Sequence, residues 1–383
     1  MENPSKQRAL RKSPFLEWCD SEGLKVATGY GIKDLRTLPL EHWERLGGPA
    51  AYCHLEGSQG IVGALAGEIP PGKSLRPIRH MYEEQILILE GRGATQFWSD
   101  GDKQAVTLEW QAGSLFSPPL NVRHQHFNGS SLEPVRFVAV NNAPLIVNVY
   151  KLPDFIFSAP YDFSNRFSGQ RDFFSSDFKP SDLEDKAVNF IPDVYAVPLN
   201  DHPDRGVGFS RLGIHLSGNS MVGHIMAIQS GTYKKAHRHH SGAQVIVLGG
   251  KGYSLMWPPG GKFVRVDWEK GSLLVPPEGW YLMRVGCITP PATAPHPDEG
   301  SRSRSSHRFR RSPPGCRCTE GPHSQSRSRR SRRRRFVPKS CARRGAKRPR
   351  PDRTHAPRPR RMVPARNRPQ PAATRRAVTR VVM

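Results

Sequence analysis

The chain has 383 residues, of which 36% are hydrophobic, and a formal charge of +25 from 58 Lys+Arg against 33 Asp+Glu. The charge is concentrated at one end: residues 301–383 hold 28 basic residues and two acids, Glu320 and Asp352, leaving 30 basic and 31 acidic residues in the first 300. No run of about 20 apolar residues occurs, which excludes a membrane-spanning helix, and the opening stretch MENPSKQRALRKSPF lacks the apolar segment of a secretory signal. Residues 1–50 read as an N-terminal extension with a short helix predicted over Leu38–Leu46. Residues 51–150 read as short strands punctuated by Gly and Pro: Ile61–Glu68, Gln85–Leu89, Gly93–Trp98 and Arg136–Asn141. Residues 151–205, rich in Phe, Asp, Ser and Pro, read as a linker that packs on its neighbours, with a helix predicted over Ser181–Val188. Residues 206–281 return to strands at Met221–Ile228, Ala243–Leu248 and Tyr253–Trp257. Residues 282–383 read as a disordered Arg/Pro/Ser-rich tail: from 301 onward there is no Trp, no Tyr and only two Phe, too little apolar surface to offset the ordering of the backbone. Cys19 and Cys53 in the body and Cys316, Cys318 and Cys341 in the tail make no disulfide framework, so a reducing, cytoplasmic setting is expected.

An internal repeat organises the body. Gly91–Trp98 (GRGATQFW) matches Gly250–Trp257 (GKGYSLMW) at an offset of 159 residues, and Trp110–Pro119 (WQAGSLFSPP) matches Trp268–Pro277 (WEKGSLLVPP) at an offset of 158. Two matches in the same order at nearly one offset imply two copies of one β domain. Short strands at regular spacing imply an antiparallel sandwich or barrel.

The first copy carries the chemistry. His80 and Glu84 precede and open the strand at Gln85–Leu89, and a neighbouring antiparallel strand can bring His124 across from them. Two imidazoles and one carboxylate are the facial set that holds non-haem Fe(II) with open positions. His126 follows two positions after His124 on the same strand face and is a spare imidazole. The structural alternative is an ion couple at a strand end and two polar histidines in a wet pocket. Arg79 and Arg123 alternate away from the histidines and read as exterior charges; Tyr82 lies on the His80 face. Phe97, Trp98, Phe116 and Phe127 read as core or pocket wall.

These residues resemble the two motifs of the cupin superfamily, in its two-barrel (bicupin) form. His80, Glu84 and Gly91 match the second half of the first motif, with Ile78 standing where its first histidine belongs. Gly113, Pro119, His124 and Asn128 match the second motif at full spacing, with Asn121 in place of its middle glycine. The resemblance covers about residues 55–280. It implies an all-β fold of two tandem double-stranded β-helix (jelly-roll) barrels, the second incomplete, and a metal held inside the first by His80, Glu84 and His124. In overall plan the chain looks like the gentisate-dioxygenase-like group. That likeness implies oxygenation of a small aromatic or carboxylated molecule at Fe(II), with Mn, Zn or Ni able to serve other chemistries in the same pocket. A small-molecule ligand and a homo-oligomer are the partners it implies; a non-catalytic bicupin that binds or senses a small molecule is the alternative.

In the second copy His237 and His239 restore the paired histidines, and Gln244, or Ala243 in an ungapped alignment, takes the place of the glutamate. The motif then breaks, with Leu282 where histidine is expected and Gly286 where asparagine is expected. A barrel that stops there exposes an edge. The reading that follows is that residues from about 282 onward belong to a shifted frame, an unspliced segment or a chimera. Taken at face value, the runs Ser328–Arg335 and Lys347–Arg350 would associate with nucleic-acid phosphates non-specifically, without aromatics to stack on bases.

Overall fold

Glycines at fixed places in the repeat cut the chain into strands. Gly91 and Gly250 (φ +88 and +85), and Gly113 and Gly271 (both φ +92), reverse the chain in a left-handed conformation open to glycine at little cost. The computed structural model describes residues 12–58, 60–101, 104–176, 188–238, 242–286 and 378–382.

The N-terminal part begins with helix α1 (Pro14–Ser21), where the Ser13 side chain accepts from the Leu16 amide and Pro14 opens the first turn. Strands β1 (Val26–Ala27), β2 (Gly31–Ile32), β3 (Glu41–Trp43) and β4 (Gly48–Cys53) follow. The helix expected over Leu38–Leu46 is replaced by β3 and a turn. Glu41–Trp43 pairs antiparallel with Gly48–Ala50, and this edge position buries the Trp43 side chain that a helix would have to share with polar neighbours.

The first copy supplies β5 (Gly63–Ile69), β6 (Glu84–Glu90), β7 (Arg92–Trp98), β8 (Val106–Gln111), β9 (Leu115–Phe116), β10 (Arg123–Asn128) and β11 (Val135–Asn141). Its larger sheet runs β1-β4-β5-β11-β6-β9, faced by a sheet ordered β10-β7-β8. The inner faces meet in a core that includes Trp43, Ile86, Phe97, Trp110, Phe116 and Phe137. Helices α2 (Ala143–Tyr150) and α3 (Pro153–Ser158) and strands β12 (Phe190–Ile191) and β13 (Asn200–Asp201) come next. The second copy supplies β14 (Phe209–His215), β15 (Val222–Gln229), β16 (Tyr233–Arg238), β17 (Val245–Val247), β18 (Lys251–Trp257), β19 (Val264–Glu269), β20 (Leu273–Leu274) and β21 (Tyr281–Gly286). A last strand, β22, is Val378–Val382. The second pair of sheets runs β13-β14-β15-β22-β17-β20-β2 and β16-β21-β18-β19. The architecture is the expected all-β pair of tandem two-sheet barrels.

The barrels exchange arms. Strand β2, from before the first barrel, pairs with β20 of the second (Ile32 opposite Leu273), and β12, from before the second barrel, pairs with β9 of the first (Ile191 opposite Leu115). The amides of Leu35 and Val194 donate to the carbonyls of Gly271 and Gly113 in the same reciprocal sense. One edge of the larger sheet in each barrel is thereby covered by a segment preceding the other barrel. A second apolar core, with Leu35, Leu87, Leu115, Ile191, Ile214, Ile246 and Leu273, fills the space between the barrels.

The expected break at residue 282 falls inside β21, which pairs with both β16 and β18. Taken from contiguous sequence alone, the second barrel is short of the strand that β11 provides in the first. Strand β22 lies in that slot, between β15 and β17. The rest of the tail, with both arginine runs, lies outside the described residues, as does the helix expected over Ser181–Val188 except for Val188, which forms a bridge with Leu216.

Candidate metal centre

Local chain geometry brings the first-barrel residues together. Ile78 and His124 form an isolated antiparallel bridge, each amide donating to the other's carbonyl at 2.9 Å. His80 sits two residues beyond Ile78 in the loop that leads into β6, and Glu84 is the first residue of β6. The three candidate ligand atoms therefore come from a loop, the start of a strand in the larger sheet and a strand in the facing sheet. One such atom each from His80, Glu84 and His124 lies within 4.8 Å of the others, and all three residues are buried. His80 Nε2 is 3.1 Å and His124 Nε2 3.6 Å from Glu84 Oε1.

The hydrogen bonds behind the imidazoles set their tautomers. His80 Nδ1 lies 2.8 Å from the Tyr82 carbonyl and His124 Nδ1 3.0 Å from the Val122 carbonyl. A carbonyl only accepts, so each Nδ1 carries a proton, and Nε2 is the ring atom turned toward Glu84. Burial pushes the Glu84 carboxyl up, but His80 and His124 outweigh it and hold the group well below the usual carboxylate range. Two imidazole nitrogens and a carboxylate that converge in an apolar interior can share a cation once each Nε2 gives up its proton. The donor set, two imidazole nitrogens and one carboxylate, fits a divalent transition metal.

Tyr82 stacks on His80, with ring centroids 3.7 Å apart and planes 4° from parallel, so it fixes the ring by packing. His126 lies beside His124, but its Nδ1 is engaged with Thr95 Oγ1 at 2.7 Å, and the same hydroxyl accepts from Trp110 Nε1 at 2.8 Å. Burial, then His124, pushes the His126 imidazole down to about 3, so it is neutral. The spare histidine is thus a buried wall residue outside the three-atom group. Thr95, which holds it, is absent from the sequence reading. Its signal is the repeated tryptophan, since Trp268 likewise donates to Ser254 in the second barrel. The cavity bounded by the ligands, Ile78, Tyr82, Trp43 and Phe137 is about 20 Å³, room for one water-sized molecule.

The second barrel braces the Glu84 backbone. Ser117 Oγ donates to the Glu84 carbonyl at 2.5 Å, and Ser117 in turn accepts from Asn219 Nδ2 and Ser217 Oγ at 2.7 Å each. The neighbouring Glu83 carboxylate accepts from the Ser220 and Met221 amides and the Ser220 hydroxyl. Arg79, expected on the exterior, is buried. It pairs with Asp100 at 2.6 Å, where Arg123 also binds, and donates to the Ala159 carbonyl. Asn121 holds the left-handed turn that glycine usually fills (φ +58), and its side chain donates to the carbonyls of Ala159 and Tyr161. Asparagine tolerates this conformation, and here it also ties the following segment over the barrel.

The second-copy set does not assemble among the described residues. Strand register places His237 opposite Leu282, as Ile78 is opposite His124, so an aliphatic side chain stands where the first barrel has the His124 imidazole. The pairing of β17 with β20 puts Ala243 in the place of Glu84 and Gln244 in that of Gln85. Gln244 faces the first barrel and donates to the Val62 carbonyl at 3.2 Å, so it is an interface residue and not a ligand. Gln85 makes the mirrored bond to the Met221 carbonyl at 2.8 Å. His239 lies outside the described residues. Cys19 and Cys53 are buried free thiols, each pushed up to about 12 chiefly by burial.

No family model matches the chain, and no curated protein matches it. Among solved structures it is similar to Bacillus subtilis oxalate decarboxylase, in a study of that enzyme's Mn(II) centres, with 10% identity and a TM-score of 0.45 over 68% of this chain and 74% of that one. It is similar to the formate complex of Lactobacillus farciminis oxalate decarboxylase (11% identity, TM-score 0.45, 67% and 82% covered). It is also similar to hazelnut (Corylus avellana) vicilin (13% identity, TM-score 0.42, 67% and 82% covered). No helix among the described residues is long and apolar enough to cross a membrane.

Proposed function

We propose that the first barrel holds one divalent metal ion through His80 Nε2, the Glu84 carboxylate and His124 Nε2, and that the chain is a metal-dependent cupin protein. The convergence of these three atoms, with both imidazole tautomers set by backbone carbonyls, carries the reading. A bound ion would supply Lewis-acid chemistry and, as iron, a place for O₂ and a substrate oxygen. Fe(II) suits the facial donor set; Mn, Zn or Ni would occupy the same atoms. Glu84 provides the negative charge, Tyr82 keeps the His80 ring in place, and Ile78, Trp43 and Phe137 keep bulk water out.

The reaction class carried forward is oxygenation of a small aromatic or carboxylated molecule. The cavity of about 20 Å³ admits no such substrate as it stands, so turnover requires the packing around Tyr82 to open. That closure favours the second reading, a bicupin that binds metal or a small ligand without turnover. Oxygen consumption by the Fe(II)-loaded full chain, across a panel of dihydroxybenzoates and small carboxylates, separates the two. Substrate-dependent uptake that disappears in Glu84→Gln supports the oxygenase, and uptake no different from free Fe(II) removes it. Self-association belongs to the same reading; α2, α3 and the turn between them expose Leu145, Val149, Tyr150, Leu152 and Phe155. Nucleic-acid association through the tail stays an expectation of charge alone.

A further inference from the structure

The two barrels meet around a second cavity of about 250 Å³, much larger than the one at the metal centre. Its walls come from both copies. Leu87 and Leu115 belong to the first barrel and Ile214 and Ile246 to the second, and all four are almost fully buried. Val222 also lines it and is exposed, so the cavity opens to solvent there. Its polar side chains are Gln85, Gln244 and His224, and among the described residues its lining holds no Asp, Glu, Lys or Arg. Burial, then Lys234, pushes the His224 imidazole down to about 3, so that ring is neutral. An apolar, uncharged hollow with a few polar groups at a junction of domains is the usual form of a small-molecule site.

The two glutamines hold equivalent places in the repeat, and each crosses to the other barrel. Gln85 Nε2 donates to the Met221 carbonyl at 2.8 Å. Gln244 Nε2 donates to the Val62 carbonyl at 3.2 Å and lies 3.5 Å from Ser58 Oγ. A carbonyl only accepts, so the Val62 bond fixes which end of the Gln244 amide is nitrogen. Gln244 is 3% exposed, and its Oε1 is buried with no hydrogen-bond partner among the described residues. A buried acceptor without a donor is costly, and a ligand that brings a donor removes the cost. We propose that the cavity between the barrels binds a small neutral molecule, with an apolar body of about one aromatic ring and a hydroxyl that donates to Gln244 Oε1. An apolar cavity of about 150 Å³ already holds benzene, so this one has room for a substituted ring. An ion is a poor occupant, because no wall residue supplies a counter-charge. The cavity shares no lining residue with the metal centre, and its occupancy requires no metal.

The probes are p-cresol and toluene, which differ only by the hydroxyl. Both are uncharged at pH 7, since a phenol titrates at about 10, so the basic tail does not attract them. Titration calorimetry on the full chain, kept metal-free with excess chelator, compares wild type with Gln244→Met and Val140→Phe. Val140 is a half-buried, apolar lining residue, so phenylalanine there fills the space. Wild type is expected to bind p-cresol saturably. Gln244→Met keeps the length of the side chain and removes the acceptor; it is expected to weaken p-cresol about tenfold and toluene less than about twofold. Val140→Phe is expected to lose both. Binding of p-cresol but not toluene by wild type supports the same assignment. A cooperative melting transition confirms that each variant is folded, and wild type with Gln244→Met decides the matter if Val140→Phe does not fold. No saturable p-cresol binding by wild type, equal weakening of both probes in Gln244→Met, or p-cresol binding left intact by Val140→Phe overturns the proposal.

Discussion

Ile78 and His124 face each other across a bridge of two hydrogen bonds, N to O 2.9 Å in both directions, and Ile78 lines the same small cavity as His80, Glu84 and His124. An aliphatic side chain thus stands where a fourth nitrogen would complete the set. Ile78→His is expected to raise metal affinity and slow metal loss to a chelator, because a fourth ligand is added without disturbing the other three. Chelator competition on the full chain measures this. Unchanged release would show that position 78 does not reach the ion.

The second barrel gives a pH dependence of definite sign. Burial first, then Arg284, Arg205 and Arg211, lower the Lys234 amine from 10.5 to about 6. Between those values the unfolded chain holds a proton that the folded chain has released, so stability rises with pH over this window and the penalty is fully present below about 6. The slope from this one group is about 1.4 kcal/mol per pH unit. Urea denaturation of wild type and Lys234→Met in phosphate-free buffers is expected to give curves that converge as pH rises from about 6 to 9. Curves that stay parallel would mean that Lys234 is charged in the folded protein.

Strand β22 bonds to β15 on one side and β17 on the other. Deleting residues 378–383 is expected to lower thermal stability and promote self-association, because it opens two strand edges at once. Amide exchange across Val222–Gln229 reports this directly. Exchange unchanged by the deletion would mean that the slot is not filled by the end of the chain, and would return weight to the reading of residues 282–383 as text foreign to the fold.

The repeat was legible because both copies need glycine at the same reversals and a tryptophan over the same hydroxyl. The His124 half of the site was legible because its motif carries a full spacing. Long-range pairing was not. The exchange of β2 and β12 between barrels joins residues more than 70 and 240 positions apart, such as Ile191 with Leu115 and Ile32 with Leu273, and no local pattern records such a partner. Gln244 looked like a glutamate substitute because it is polar and near the right place. A shift of one residue along a strand turns a side chain to the other face, and the register sends it to Val62. Arg79 does alternate away from His80, yet its outward direction is covered by Ala159 and Asn121, so it is buried. The helix expected at Leu38–Leu46 failed because the edge pairing of Glu41–Trp43 outweighs a short helical pattern.

The account rests on the three atoms of His80, Glu84 and His124 holding one ion. The most direct measurement is the metal content of the purified full chain and of His124→Ala, reloaded under identical conditions with Fe(II), Mn(II) or Zn(II), desalted and analysed for bound metal. The account predicts about one ion per wild-type chain for at least one of these metals, and a loss of most of it in the variant. Equal metal in the two proteins, or none retained by wild type, would contradict it.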